Sequence, residues 1–251
     1  MMPDRSVLRA WISFGRNDLR GTYRDPLLVM LVLAPVIWTG GTVLLIPPLT
    51  DTLLRRYDFN LVPYYPLVIT ALLLLTSIII AGALAAFLVL DEVDSGTLTV
   101  LRVAPVPLGA FLSYRAATVV AVTTAYVVTT MTFSGLLRPG LTLTLVPIGM
   151  VAGFAAVVTM LTIVAVANNK IQGIAMVRLH GIIIAGLPCL PWFVDSAWNL
   201  AFGVLPPYWA AKAFWVATAG GLWWPYLLAG VAYNLALAWP LYRHVMTKKA
   251  A

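Results

Sequence analysis

Six apolar runs punctuate the sequence, at residues 27–46, 66–90, 110–137, 145–167, 174–193 and 222–241. A helix rises about 1.5 Å per residue, so each run can cross a hydrocarbon core of roughly 30 Å. Within lipid a spanning segment must satisfy its own backbone hydrogen bonds, which a helix does internally. The expected fold is an all-α integral membrane protein with six transmembrane helices. No internal repeat or linker divides it, so residues 1–251 are expected to form one domain. Charged residues make up 10% of the chain and hydrophobic ones 61%, where a soluble domain carries about 25% charged residues. The fifth run is the least regular, with Arg178 and His180 near its start and Pro188 and Pro191 near its end. Such polar-tipped side chains can snorkel to the headgroups.

Orientation follows from the basic residues. If the N-terminus lies in the cytoplasm, twelve of the 16 Lys and Arg residues fall on the inner side, and only Arg55, Arg56, Arg138 and Lys212 outside. The positive-inside rule then places both termini in the cytoplasm. The net charge of +7 does not point to nucleic acid, because the basic residues flank apolar runs and form no continuous patch. Cys189 is the only cysteine, which excludes a disulfide within the chain.

Three segments outside the runs carry information. Residues 5–24 are expected to form a helix lying flat at the membrane surface. At 100° per residue, Arg9, Arg16 and Arg20 share one face, and Leu8, Trp11, Ile12 and Leu19 the other. The plainer alternative is a basic flank without a fixed helix. After the second run, Asp91, Glu92 and Asp94 place three of the nine carboxylates within four residues. From there Val93, Thr97, Val100, Leu101 and Ala104 follow a helical rhythm that ends at Pro105-Val106-Pro107. A short amphipathic cytoplasmic helix is expected, its carboxylates at the positive end of the helix dipole. The alternative is a solvated loop whose acids only cap a helix. Finally, the outside segment 193–221 is strongly aromatic, and Pro206-Pro207 splits it into pieces too short to span. Two short re-entrant or interfacial helices are expected, with an ordinary aromatic belt as the alternative.

Several chemistries are missing. There is no phosphate-binding G-x-x-x-x-G-K-[ST], no H-E-x-x-H and no G-x-S-x-G. His180 and His244 are far apart and, with Cys189, make a poor zinc set. The middle of every run is uncharged, and Arg115 lies near the inner edge of the third, from where it can snorkel. Ion-coupled transporters usually keep an ionisable group at membrane depth. Uphill transport by this chain would therefore draw its energy from another molecule, and an enzyme reading has no catalytic constellation to rest on.

The stretch Asp91-Glu92-Val93-Asp94-Ser95-Gly96-Thr97-Leu98, with Leu101 and Pro105-Val106-Pro107, resembles the E-x-x-x-G-T-L…P signature of type-2 ATP-binding-cassette (ABC) exporter permeases, which also follows the second of six spans. Asn168-Asn169-Lys170-Ile171-Gln172-Gly173-Ile174-Ala175 and the segment from Leu205 to Trp215 are similar to the bacterial drug-export subgroup associated with fluoroquinolone efflux. The resemblance implies a bacterial inner-membrane permease that moves an amphipathic or apolar compound, drug-like or fluoroquinolone-type, out of the cell. Lipid or glycan export is the alternative, and ion-coupled secondary transport a weaker one. It further implies a coupling helix built from Asp91, Glu92, Asp94, Gly96, Thr97, Leu98, Leu101 and Arg102, docked on a separate ATPase. Residues 5–24, with Arg9, Trp11, Arg16 and Arg20, become the elbow helix, and 168–173 a second cytoplasmic contact. Spans two and five would line the path. The implied partners are two ATPase subunits, which bind ATP and Mg, and a second permease, identical or homologous. No cofactor and no metal is expected in this chain, and no catalytic residue.

Overall fold

The computed structural model describes residues 15, 16, 18, 20–95, 108–194 and 196–250. Among these the chain is all helical: α1 (Pro26–Tyr57), α2 (Val62–Asp94), α3 (Leu108–Phe133), α4 (Leu145–Val166), α5 (Lys170–Gly186), α6 (Tyr208–Thr218) and α7 (Trp224–Ala250). Residues 20–24, with their described neighbours 15, 16 and 18, are also helical and lead into α1. Five helices are long and apolar enough to cross a membrane: α1, α2, α3, α4, and α5 with its 3-10 continuation to Phe193. The expected sixth, α7, has 27 residues and so the length. Asn234, Pro240 and its Trp and Tyr residues dilute its apolar character.

Several helices run further than expected, α7 among them, which reaches Ala250. α1 does not stop at Pro47-Pro48 but continues to Tyr57. Proline's fixed φ is compatible with a helix, and only its missing N–H and ring disturb it. Thr39 and Thr52 hydroxyls donate to the carbonyls of Pro35 and Pro48, both at 2.7 Å. The helix ends where Asp58 turns left-handed, φ 53°, with Asp58 N–H on Leu54 O and Phe59 N–H on Leu53 O; an Asp tolerates this conformation better than most residues. At about 1.5 Å per residue, its 32 residues exceed the bilayer core.

α2 starts before residue 66 and extends past residue 90 to Asp94. Over Thr70–Leu74 it widens into a π-helical turn. There the Thr70 hydroxyl donates to Pro66 O at 2.8 Å and accepts from Trp215 Nε1 at 2.8 Å, so the irregular turn of α2 is tied to α6.

α4 is the centre of the bundle, in contact with α2, α3, α5, α6 and α7. Its small residues allow this. A Cβ at Gly153 would stand 2.7 Å from Val120 Cα, and one at Gly149 2.9 Å from Thr124 Cα. These two glycines, four residues apart, form the small-x-x-x-small pattern that lets membrane helices approach backbone to backbone. From α7, Gly230 packs against side chains instead: a Cβ there would stand 2.7 Å from Val151 Cγ1 and from Trp209 Cβ.

The aromatic segment forms the two expected short helices, a 3-10 stretch over Ala197–Val204 and then α6. It is only partly at the surface: Tyr208, Phe214 and Trp215 are buried, while Phe193 and Trp198 stand exposed. Asn199 Nδ2 donates to Pro191 O at 2.6 Å and Val194 O at 3.1 Å, and its Oδ1 accepts from Tyr208 OH at 2.6 Å. Irregular backbone in this segment, at Pro191 and Val194, is thus satisfied from within the protein.

Candidate functional site

The acids lie elsewhere than at the start of a new helix. Asp91, Glu92 and Asp94 occupy the last turn of α2, at the negative end of its dipole, where carboxylates are unfavourable. That placement corrects the sequence expectation. Two cations offset it. One is Arg115, a turn or two into α3; the other is Lys170, the first residue of α5.

Arg115 does not snorkel. It is 2% exposed, with Nη1 2.5 Å from Asp18 Oδ2 and Nη2 3.3 Å from Glu92 Oε1. Its guanidinium lies 5.2 Å from the Phe111 ring centroid and 5.8 Å from that of Tyr114, a cation–π cradle. Tyr114 OH donates to Asp18 Oδ2 at 3.0 Å. The helical stretch before α1, the end of α2 and the start of α3 are thus held by one cation. An arginine at this depth becomes tolerable because two carboxylates converge on it.

Lys170 forms the second node. Its Nζ donates to Asp25 Oδ2, and to the Asp91 carboxylate at 2.8 Å. Its backbone N–H donates to Asp94 Oδ2 at 3.1 Å. Asp25 meanwhile caps α1 by accepting from Leu27 N at 2.9 Å. The Lys170 ammonium, hydrogen-bonded to Asp25, is the main reason its carboxyl is held below the usual carboxylate range. Lys170 is positioned by Asn169, whose Oδ1 accepts from Gln172 N at 2.9 Å and caps α5. Gly173 lets α5 pass over α2, for a Cβ there would meet Leu90 Cδ1 at 2.6 Å. On the same side of the bundle, Lys248 Nζ donates to Ala165 O near the end of α4 at 2.9 Å.

Of the residues singled out from sequence, the structure brings Asp91, Glu92 and Asp94 into this network. Arg16 and Arg20 stand exposed on the stretch before α1. Gly96, Thr97, Leu98, Leu101, Arg102, Arg9 and Trp11 lie outside the described residues. Sequence reasoning missed Asp18, Asp25 and the paired state of Arg115. One signal was present: an arginine inside an apolar run needs an anion. Which anion, nearly a hundred residues away, is a tertiary fact.

The chemistry of the network is electrostatic, with charges paired across elements. Four carboxylates, Asp18, Glu92, Asp25 and Asp91, share two cationic side chains, and a fifth, Asp94, accepts from the Lys170 backbone N–H. They join the stretch before α1 with α1, α2, α3 and α5 at one end of the bundle. The α2 terminus is thereby tied to all of these elements.

Comparison with known proteins agrees with this picture of a membrane transport component. No solved structure matches the chain. Residues 18–242 match the family model described as fluoroquinolones export permease protein Rv2686c-like. The chain is 70% identical over 242 residues to the fluoroquinolones export permease protein Rv2686c of Mycobacterium tuberculosis (strain H37Rv), covering 96% of each chain. The same identity and coverage relate it to the fluoroquinolones export permease protein MT2760 of Mycobacterium tuberculosis (strain CDC 1551 / Oshkosh). An all-helical membrane protein whose helices are tied at one end by ion pairs, and which is this similar to both export permeases, belongs to the Rv2686c-like fluoroquinolones export permease family.

Proposed function

We propose that the chain is the transmembrane subunit of an ATP-driven ABC exporter that moves fluoroquinolone-like amphipathic compounds out of the cytoplasm. Residues 1–251 act as one transmembrane unit with six spans, α7 being the sixth, in the bacterial inner membrane with both termini cytoplasmic. Two separate ATPase subunits bind ATP and Mg and close on each other. A second permease completes the pathway; the outward apolar residues of α1 and α5, among them Val36, Leu44 and Ile182, suit contact with it or with lipid. The segment 96–107, between α2 and α3, is the coupling element that docks on an ATPase.

The observation that carries this reading is the attachment at the end of α2. A push delivered just beyond Asp94 meets a helix end already clasped to Lys170 and Arg115, so it is transmitted without local fraying. The cycle itself needs only that ATP favours one permease shape over the other. The acids of α2 have partners within the chain, so Leu98 and Leu101 are the better probes of docking. Leu98→Asp with Leu101→Asp is expected to abolish ATP-driven export in proteoliposomes and co-purification of the ATPase, while the permease still inserts. Undiminished export by that variant rules out the coupling assignment.

A further inference from the structure

Next to the Asp18–Arg115 pair the bundle is open. The stretch before α1, α1, α2 and α3 leave between them a cleft of about 740 Å³, within the size range of pockets that hold drug-sized ligands. Its walls are apolar, with Val32 and Leu33 from α1, Leu84 and Leu88 from α2, and Val119 and Val122 from α3. Its polar end is formed by Asp18, Tyr114 and Arg115.

That polar end is unbalanced in two ways. Arg115 is 2% exposed, and its Nε, buried, has no hydrogen-bond partner among the described residues. A buried guanidinium N–H without an acceptor is an open position for one. One guanidinium also stands between two carboxylates, Asp18 and Glu92, whose side chains are only 14% and 15% exposed. When all three are ionised the cluster carries one negative charge in excess. A ligand with only an acid would satisfy Nε but worsen the charge. A ligand with only an amine would balance the charge and leave Nε open. A molecule with an acid and a protonated amine on a rigid apolar body answers both, and its body matches the walls.

We propose that this cleft is a recognition site for cargo, selecting flat apolar zwitterions, with the acid group accepting from Arg115 and the amine facing Asp18. The inference rests on the export reading and names its ligand chemistry. Entry is from the end of the bundle that carries the acids, beside α1.

The test is direct binding to the full chain in phosphatidylcholine nanodiscs, read by the fluorescence anisotropy of norfloxacin. Its ethyl ester, which lacks the acid, and its N-acetyl derivative, which lacks the basic amine, serve as comparisons. Saturable binding of norfloxacin is expected, weakened at least tenfold for either derivative. Leu84→Trp and Val122→Trp narrow the walls away from the ion pair and are expected to weaken binding at least tenfold. Leu235→Trp, in the separate groove between α3, α4 and α7, leaves it unchanged. Equal binding of the three compounds to the unaltered chain overturns the proposal, whether or not the tryptophan variants fold. So does norfloxacin displaced by phosphatidylglycerol with no preference among the compounds, which makes the cleft a lipid site. Export that depends on ATP in wild type, with unaltered binding in the folded wall variants, sinks the cleft but leaves the export reading standing. Zwitterion-selective binding without any ATP-driven export does the reverse.

Discussion

Replacing Arg115 by methionine isolates the cost of the buried ion network. The side chain is 2% exposed, and its partners Asp18 and Glu92 are 14% and 15% exposed, so neither carboxylate regains full hydration when the cation goes. Removing one partner from a buried pair typically costs about 3–5 kcal/mol, and Arg115→Met is expected to fall in that range. The two halves are unequal. Asp18 accepts from both the Arg115 guanidinium and Tyr114 OH, so Asp18→Asn should lose about 1.5–3 kcal/mol, as for a charged hydrogen bond. The Glu92 contact at 3.3 Å is longer than a strong charge-assisted bond, and Glu92→Gln should lose about 1 kcal/mol. The triple variant Arg115→Met, Asp18→Asn, Glu92→Gln strands no charge, and should recover to within about 2 kcal/mol of wild type. Unfolding in mixed micelles, followed by tryptophan fluorescence, measures all four. A loss below about 1 kcal/mol for Arg115→Met, or a triple variant worse than that single one, would refute the claim that the network is a desolvated charge cluster.

Three other outcomes are expected. Gly153→Leu sets a side chain against the Val120 backbone, which cannot yield, and should cost about 3 kcal/mol or more; the readout is folded yield after detergent extraction. Thr70→Val leaves the Trp215 indole N–H without its buried acceptor, at about 1–3 kcal/mol, and should blue-shift the emission that Trp215 contributes, whereas Thr70→Ser should not. Asp25→Asn keeps the α1 cap but removes the ion pair with Lys170. Because Asp25 titrates below its ordinary value in the folded chain, the pair stabilises above about pH 4 and is lost as pH falls through the folded value. The stability gap between wild type and Asp25→Asn should therefore be level from pH 8 to 5 and close below about pH 4.

The apolar runs were legible because lipid leaves few choices: length and hydropathy locate a span with little help from tertiary context. Helix ends were less so. The apolar run closes at residue 46, yet the two prolines that follow, on a helix already underway, remove only two backbone donors. The acids after Leu90 read as the opening of a cytoplasmic helix because a carboxylate cluster suits a helix start. Asp91, Glu92 and Asp94 instead close α2, and what makes that tolerable is Arg115 and Lys170, supplied from distant segments. The π-helical turn at Thr70 has no sequence signature either, since Trp215 provides its partner. The candidate site was thus half visible: its α2 carboxylates could be named from the chain, their counter-charges could not.

α4 has consequences for how such a protein changes shape. A rod in contact with five neighbours, two of its contacts made backbone to backbone through Gly149 and Gly153, has nowhere to slide without opening voids that close-packed interiors resist. It is the keel. Any movement falls first to the members least enclosed within the chain, α1 and α5, and these are the ones fastened through Asp25 and Lys170 to the end of α2.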